Sequence, residues 1–184
     1  MAYSVTYENT PNPNSMKFMV NQNIIEEPVA YTSSTEASSS PLAEKLFGFP
    51  WMAGVFVGTD FITITKQDWV DWDVLSEPLR DLIEEHLNDG LGIVGSAPAA
   101  APEAHPQSDD PVVQKIIEII ERDVRPAVAM DGGDILFQKY ENNVVYLRMK
   151  GSCAGCPSST YTLKMGIETR LKDAVPEIKE VVAV

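Results

Sequence analysis

Gly151-Ser152-Cys153-Ala154-Gly155-Cys156-Pro157 holds the only two cysteines of a 184-residue chain. Before it, Val144 to Lys150 alternates apolar and polar as a strand does; after it, a helix is expected from Ser158-Ser159. Both thiols therefore fall between a strand end and a helix N-terminus, where unpaired amide N–H groups and the helix dipole favour thiolate over thiol. Gly151, Ala154 and Gly155 leave backbone N–H groups uncrowded and able to donate to sulfur, and Pro157 suits the first helical position. Two thiols at this spacing can converge on one soft metal centre or close on each other as a disulfide.

Working outward, Asp110-Pro111 opens a helix with an acid at its positive end. Val113, Ile116, Ile117, Ile120 and Val124 form its apolar stripe. Arg125-Pro126 and Asp131-Gly132-Gly133-Asp134 are expected to close the segment with a turn. Asp134 to Tyr140 and Val144 to Lys150 read as a hairpin around Glu141-Asn142-Asn143. In its second strand Val145, Leu147 and Met149 share one face, Arg148 and Lys150 the other. The later helix turns Leu163, Ile167, Leu171 and Ala174 inward, and Glu180 to Val184 is a third strand. The order is α-β-β-loop-α-β.

Residues 92–110 are rich in Ala, Pro and small residues without apolar periodicity, so they read as a linker. This gives two small α+β domains, 1–91 and 111–184. In the first, Tyr3 to Tyr7 and Met16 to Val20 read as strands around the turn formers Thr10-Pro11-Asn12-Pro13-Asn14. Thr32 to Ser40 reads as a polar loop, and Ser40-Pro41 caps a short helix through Leu42 to Phe47. Val55 to Val57 and Phe61 to Thr65 form a hairpin about Gly58-Thr59-Asp60. Asp73 to Asn88 carries Leu75, Leu79, Leu82, Ile83 and Leu87 at helical spacing, and Gly90 ends it. His86, with no ligand-type partner at a readable spacing, is expected at the surface.

Net charge is −13, most of it carried by the first half. Residues 1–91 hold 4 Lys and Arg against 14 Asp and Glu, whereas 111–184 hold 10 of each. An acidic first domain argues against nucleic acid and anionic membrane as partners. No apolar run approaches the roughly 20 residues needed to cross a bilayer. The opening Met1-Ala2-Tyr3-Ser4-Val5 carries no targeting pattern, so the cytoplasm is the expected compartment. Two close cysteines do not make a secreted disulfide framework.

Three chemistries compete for Cys153 and Cys156. A thioredoxin-like pair would fit the local strand-to-helix placement, but no parallel-sheet pattern is legible and no aromatic precedes Cys153. Structural zinc wants four ligands, and His86 and His105 lie in the other domain and the linker, so four thiolates would have to come from a dimer. An iron–sulfur cluster also needs four thiolates, so two per chain means a labile site or a cluster shared across a symmetric dimer.

The surrounding residues bear on this choice. Thr10 to Asn14 with Lys17-Phe18, Ser40-Pro41-Leu42-Ala43 with Leu46-Phe47, and Phe61 to Lys66 resemble the N-terminal domain of Nfu-type iron–sulfur scaffold proteins. Arg125-Pro126, Asp131 to Asp134, Gly151 to Thr160, Thr162-Leu163-Lys164, Gly166-Ile167-Glu168 and Val175-Pro176-Glu177 resemble the C-terminal domain of the NifU/Nfu family, in the family's order. The resemblance implies a non-enzymatic scaffold or carrier that takes a [4Fe–4S] cluster between two subunits, with a [2Fe–2S] form as the alternative. It would receive the cluster from upstream assembly proteins and pass it to apo iron–sulfur proteins. The family's ligands carry over to Cys153 and Cys156. Asp131 and Asp134 are expected to satisfy turn N–H groups, Lys150 and Lys164 to be solvated, and Ser152, Ser158 and Thr160 to cap the helix.

Overall fold

The computed structural model describes residues 2–93, 110–154 and 157–184, with 157–163 described by backbone alone. Most of the expected linker therefore lies outside the described residues, as do Gly155 and Cys156. The chain divides into two compact units, Met1–Pro102 and Glu103–Val184, each mixing helices with a sheet, so the α+β class holds.

In the first unit, β1 (Val5–Asn9), β2 (Ser15–Val20), β3 (Val29–Tyr31), β4 (Met52–Val57) and β5 (Phe61–Lys66) form an antiparallel sheet in the order β1-β2-β5-β4-β3. The hairpin about Gly58 to Asp60 is as expected, with Gly58 N–H donating to Phe61 O at 2.8 Å. Helices α1 (Ser34–Ala37), α2 (Pro41–Phe47) and α3 (Trp72–Asn88) complete the unit. Phe18, Leu42, Leu46, Ile62, Ile64 and Ile83 are fully buried, and each such side chain contributes about 1.5–3 kcal/mol.

Several details differ from the sequence reading. The first strand begins at Val5, paired with Val20, because Tyr3 N–H is drawn off to Asn88 Oδ1 at 2.8 Å. The short strand β3 had no legible signal. The expected loop from Thr32 contains α1, a single turn held by reciprocal capping: Ser33 Oγ accepts from Glu36 N–H at 3.3 Å, and Glu36 Oε2 accepts from Thr32 N–H at 2.7 Å. Most consequential is His86, which is 1% exposed rather than at the surface. It lies three residues after Ile83 and seven after Leu79, on the buried stripe of α3. Beyond Gly90, at φ +69°, the chain folds back so that Gly92 O meets His86 Nε2 at 3.2 Å and Ile93 O accepts from Ser40 Oγ.

In the second unit, α4 (Pro111–Ile119) runs through a π-helical turn (Ile120–Val124) into α5 (Arg125–Met130). The turn expected at Arg125-Pro126 is thus helix. Proline lacks the N–H for an i−4 bond and crowds the preceding turn, and the widened segment absorbs this, with Arg125 N–H bonding Ile120 O. Ile119, three residues after Ile116, joins the buried stripe, while Ile117 is only half-buried. Strands β6 (Gly133–Glu141) and β7 (Val144–Gly151) pair antiparallel around Asn142 (φ 55°) and Asn143 (φ 67°), a two-residue turn whose twist matches the strands. Helix α6 (Pro157–Ala174) crosses to β8 (Glu180–Ala183), which pairs with β7 in parallel, giving the order β6-β7-β8. Val145, Leu147, Ile167 and Leu171 are buried as expected. No helix among the described residues is long and apolar enough to cross a membrane.

Candidate metal centre

Cys153 follows the end of β7, where Gly151 adopts φ +64° and turns the chain toward α6. That conformation suits glycine, because a Cβ would crowd the backbone. The turn is tied to the segment before β6. Ser152 N–H donates to Gly132 O at 3.1 Å, and Ser152 Oγ donates to Asp131 O at 2.5 Å. Ala154 N–H closes the loop on Gly151 O at 3.0 Å. Ser152 is consequently buried and holds the loop in place. Asp131 contributes its backbone carbonyl to this arrangement, while its carboxylate was the group expected to act.

Cys153 is 5% exposed and belongs to the apolar core of the second unit. Its sulfur packs against Gly133, the first residue of β6, which pairs with Gly151 across the hairpin. Gly132 stands at φ +78°, whereas Gly133 meets a spatial limit: a Cβ placed there would lie 2.5 Å from Cys153 Sγ.

One residue farther along, Asp134 is locked by Arg125. Nε donates to Oδ1 at 2.8 Å and Nη2 to Oδ2 at 2.9 Å, while Nη1 reaches both oxygens of Glu121 at 2.9 and 3.0 Å. The hydrogen bonds Arg125 donates to Asp134, then the charge of Asp134 and the hydrogen bonds and charge of Glu121, push the guanidinium pKa further above its ordinary value against the opposing effect of burial. Asp134 Oδ1 also accepts from Ile135 N–H at 2.8 Å, the turn role expected for it. The ion pair went unread in the sequence, because a nine-residue separation across a helix and a turn is no recognisable spacing. Lys164 bonds Glu180 at 3.0 Å and joins α6 to β8, so its charge is not simply solvated.

Of the two expected ligands, only Cys153 is among the described residues; Cys156 lies outside them, and the side chains of Ser158 and Thr160 are not described. Among the described residues no three His, Cys, Asp or Glu side chains converge on a point that could hold a metal ion. Cys153 supplies one soft donor on a loop fixed by hydrogen bonds. A complete four-ligand site needs more donors than that. The absence of a parallel pattern, one ground against a thioredoxin-like pair, does not survive: β7, α6 and β8 form a parallel crossover with the cysteine loop at its start.

Comparison with known proteins covers both units. Residues 5–90 match the family "Scaffold protein Nfu/NifU N terminal", and residues 116–182 match the "NifU-like domain". The chain is 39% identical over 176 residues to the "NFU1 iron-sulfur cluster scaffold homolog, mitochondrial" of Drosophila sechellia, an alignment covering 95% of this chain and 62% of that one. It is 38% identical over 176 residues to the protein of the same name from Homo sapiens, covering 95% and 69% respectively. The chain thus spans less than two thirds of the Drosophila relative. The solution structure of a NifU-like protein from Saccharomyces cerevisiae matches 52% of this chain and 87% of that one, at 24% identity and a TM-score of 0.46.

Proposed function

This chain belongs to the Nfu family of iron–sulfur cluster scaffold proteins, and from that premise we propose that Cys153 and Cys156 hold a [4Fe–4S] cluster together with the same pair from a second copy. The observation that carries the reading is the shortage of ligands: a cluster takes four thiolates, and the whole chain has two cysteines. A two-fold dimer supplies the missing pair with identical geometry. A [2Fe–2S] cluster would meet the same four sulfurs and is the alternative cargo.

Release proceeds by ligand exchange. A recipient's thiolate bonds to an iron as Cys153 or Cys156 leaves it; a proton from the recipient thiol is matched by one taken up on the departing sulfur. No net electron transfer occurs, and the chain is a carrier rather than an enzyme. A site split between subunits is lost when the dimer opens, which favours delivery over storage. In this reading residues 111–184 bind the cluster, 92–110 are the linker, and the acidic 1–91 recognise upstream donors or apo-protein recipients. Thiolates persist only in a reducing compartment. The cytoplasm expected from the sequence meets that need, as would the mitochondrion that the relatives are named for.

The parallel β7–α6–β8 crossover favours one rival, a thiol–disulfide oxidoreductase. A zinc site of four shared thiolates is another. Anaerobic reconstitution with iron and sulfide separates the three. The scaffold reading expects brown absorbance, about four irons and four labile sulfides per dimer, and loss of both in Cys153→Ser and Cys156→Ser. A loaded protein that is monomeric by light scattering would sink it. So would a colourless wild type that reduces insulin disulfides or retains zinc.

A further inference from the structure

We propose that Gly133 is a positioning residue for the cluster ligand: its missing side chain is the space in which Cys153 Sγ lies, so the start of β6 decides where the loop after β7 presents its sulfur. This rests on the reading of Cys153 as a ligand.

A Cβ built on Gly133 would stand 2.5 Å from Cys153 Sγ, 2.9 Å from Lys150 O and 3.2 Å from Cys153 Cβ. Non-bonded heavy atoms of this kind settle at about 3.5–4 Å, so the sulfur would have to move by roughly 1 Å or more. The backbone has little room to yield instead. On the β6 side, Asp134 is clamped by Arg125, and the carbonyls of Asp131 and Gly132 are both bonded to Ser152. On the loop side, Gly151 pairs with Gly133 and its carbonyl accepts from Ala154 N–H. Rotation about the Cys153 side chain relieves the contact with Sγ, the tightest of the three, while the Lys150 carbonyl and Cys153 Cβ must give by a few tenths of an ångström. A methyl group at residue 133 would drive the sulfur from the place it holds in a residue now only 5% exposed. The neighbouring glycines have a different reason for being glycine: Gly132 and Gly151 stand at φ +78° and +64°. Gly133 has no such φ and is required by the sulfur and the Lys150 carbonyl.

The test uses the full chain without cluster. With Cys156→Ser, Cys153 is the sole thiol, and its alkylation by iodoacetamide reads how far the sulfur is exposed. Gly133→Ala is expected to speed that reaction by roughly tenfold or more while circular dichroism stays native. In the chain with both cysteines it should lower iron and sulfide taken up on reconstitution several-fold. Melting temperatures give the second arm: Gly133→Ala should cost clearly less in a Cys153→Ala background, where Sγ is gone, than with the cysteine present. If the single variant fails to fold, recovery of folding in the double variant supports the proposal, and failure there overturns it. An unchanged alkylation rate, or an equal melting loss in both backgrounds, also overturns it. Alkylation and melting are read on apo protein, so they stand apart from whether wild type takes up a cluster, which is the test of the scaffold reading itself.

Discussion

Arg125 and Asp134 face each other in a two-pronged ion pair, Nε to Oδ1 at 2.8 Å and Nη2 to Oδ2 at 2.9 Å, that fastens α5 to the start of β6. The Asp134 side chain is 9% exposed, so removing its partner strands a mostly buried charge. Arg125→Lys keeps the charge but loses the fork, and is expected to cost about 1–2 kcal/mol; Arg125→Ala should cost about 2–3 kcal/mol. All three tryptophans, Trp51, Trp69 and Trp72, lie in the first unit, so their fluorescence is blind to this change. Amide hydrogen exchange along β6 and β7 is the suitable measurement. Unchanged protection in Arg125→Ala would remove the pair from the stability of the site.

The β6–β7 turn supplies a second prediction. Asn143 combines φ +67° with a hydrogen bond from Nδ2 to Glu177 O at 2.7 Å, and its own carbonyl accepts from Lys179 N–H at 2.8 Å. Asn143→Ala loses the side-chain bond and puts an unsuited residue in the left-handed region, for about 2 kcal/mol in all. Asn143→Gly loses only the bond and should fall near half of that. If alanine and glycine are equally tolerated in the exchange measurement, the turn conformation is not what fixes this register.

Glu168 gives the unit a pH dependence. Its carboxylate accepts from Lys172 Nζ at 2.5 Å and from Val181 N–H at 3.2 Å, so it joins α6 to β8. The Lys172 hydrogen bond first, then the Val181 N–H and the lysine charges, hold its pKa below the usual carboxylate range against the opposing effect of burial. A depressed folded-state pKa means the stabilisation is present above the unfolded value and disappears as pH falls through the folded one. Wild type should therefore lose about 0.5–1 kcal/mol more than Glu168→Gln between about pH 5 and pH 3, the partial exposure of Lys172 keeping the figure small. Parallel acid titrations of the two proteins, followed by amide exchange in β8, would test this. Identical acid limbs would count against the carboxylate.

The sequence was most readable where one residue type has one local use. Ser40-Pro41 marked the start of α2, and Asn142-Asn143 marked the hairpin, because capping and left-handed turns are decided within three or four residues. It was least readable where a remote partner decides. Pro126 looked like a helix stop until the π-turn before it took up the missing bond. The strand β8 was expected, but its parallel pairing with β7 depends on where α6 returns the chain. At the candidate site the two cysteines announced themselves. The roles of Gly133 and Arg125, legible only as parts of a turn and a family pattern, did not, since their partners, Cys153 and Asp134, are set by a hairpin register and a helix-to-strand turn rather than by spacing.

His86 shows the same limit in the first unit and yields the last prediction. With no ligand-type partner at a readable spacing it is expected at the surface, yet its place after Leu79 and Ile83 puts it on the inward stripe of α3. One ring nitrogen meets Gly92 O at 3.2 Å, and Nδ1 is buried without a partner. An unsatisfied buried polar atom costs about 1–3 kcal/mol, comparable with what the bond to Gly92 contributes. His86→Leu removes both effects while filling the space, and should leave stability within about 1 kcal/mol of wild type. His86→Ala instead opens a cavity and should lose about 2 kcal/mol or more. Urea unfolding followed by tryptophan fluorescence reads this unit directly. If leucine proves as damaging as alanine, the imidazole is making a polar contact that the unit depends on, and the bond to Gly92, which holds the chain where it leaves α3, is the first place to look.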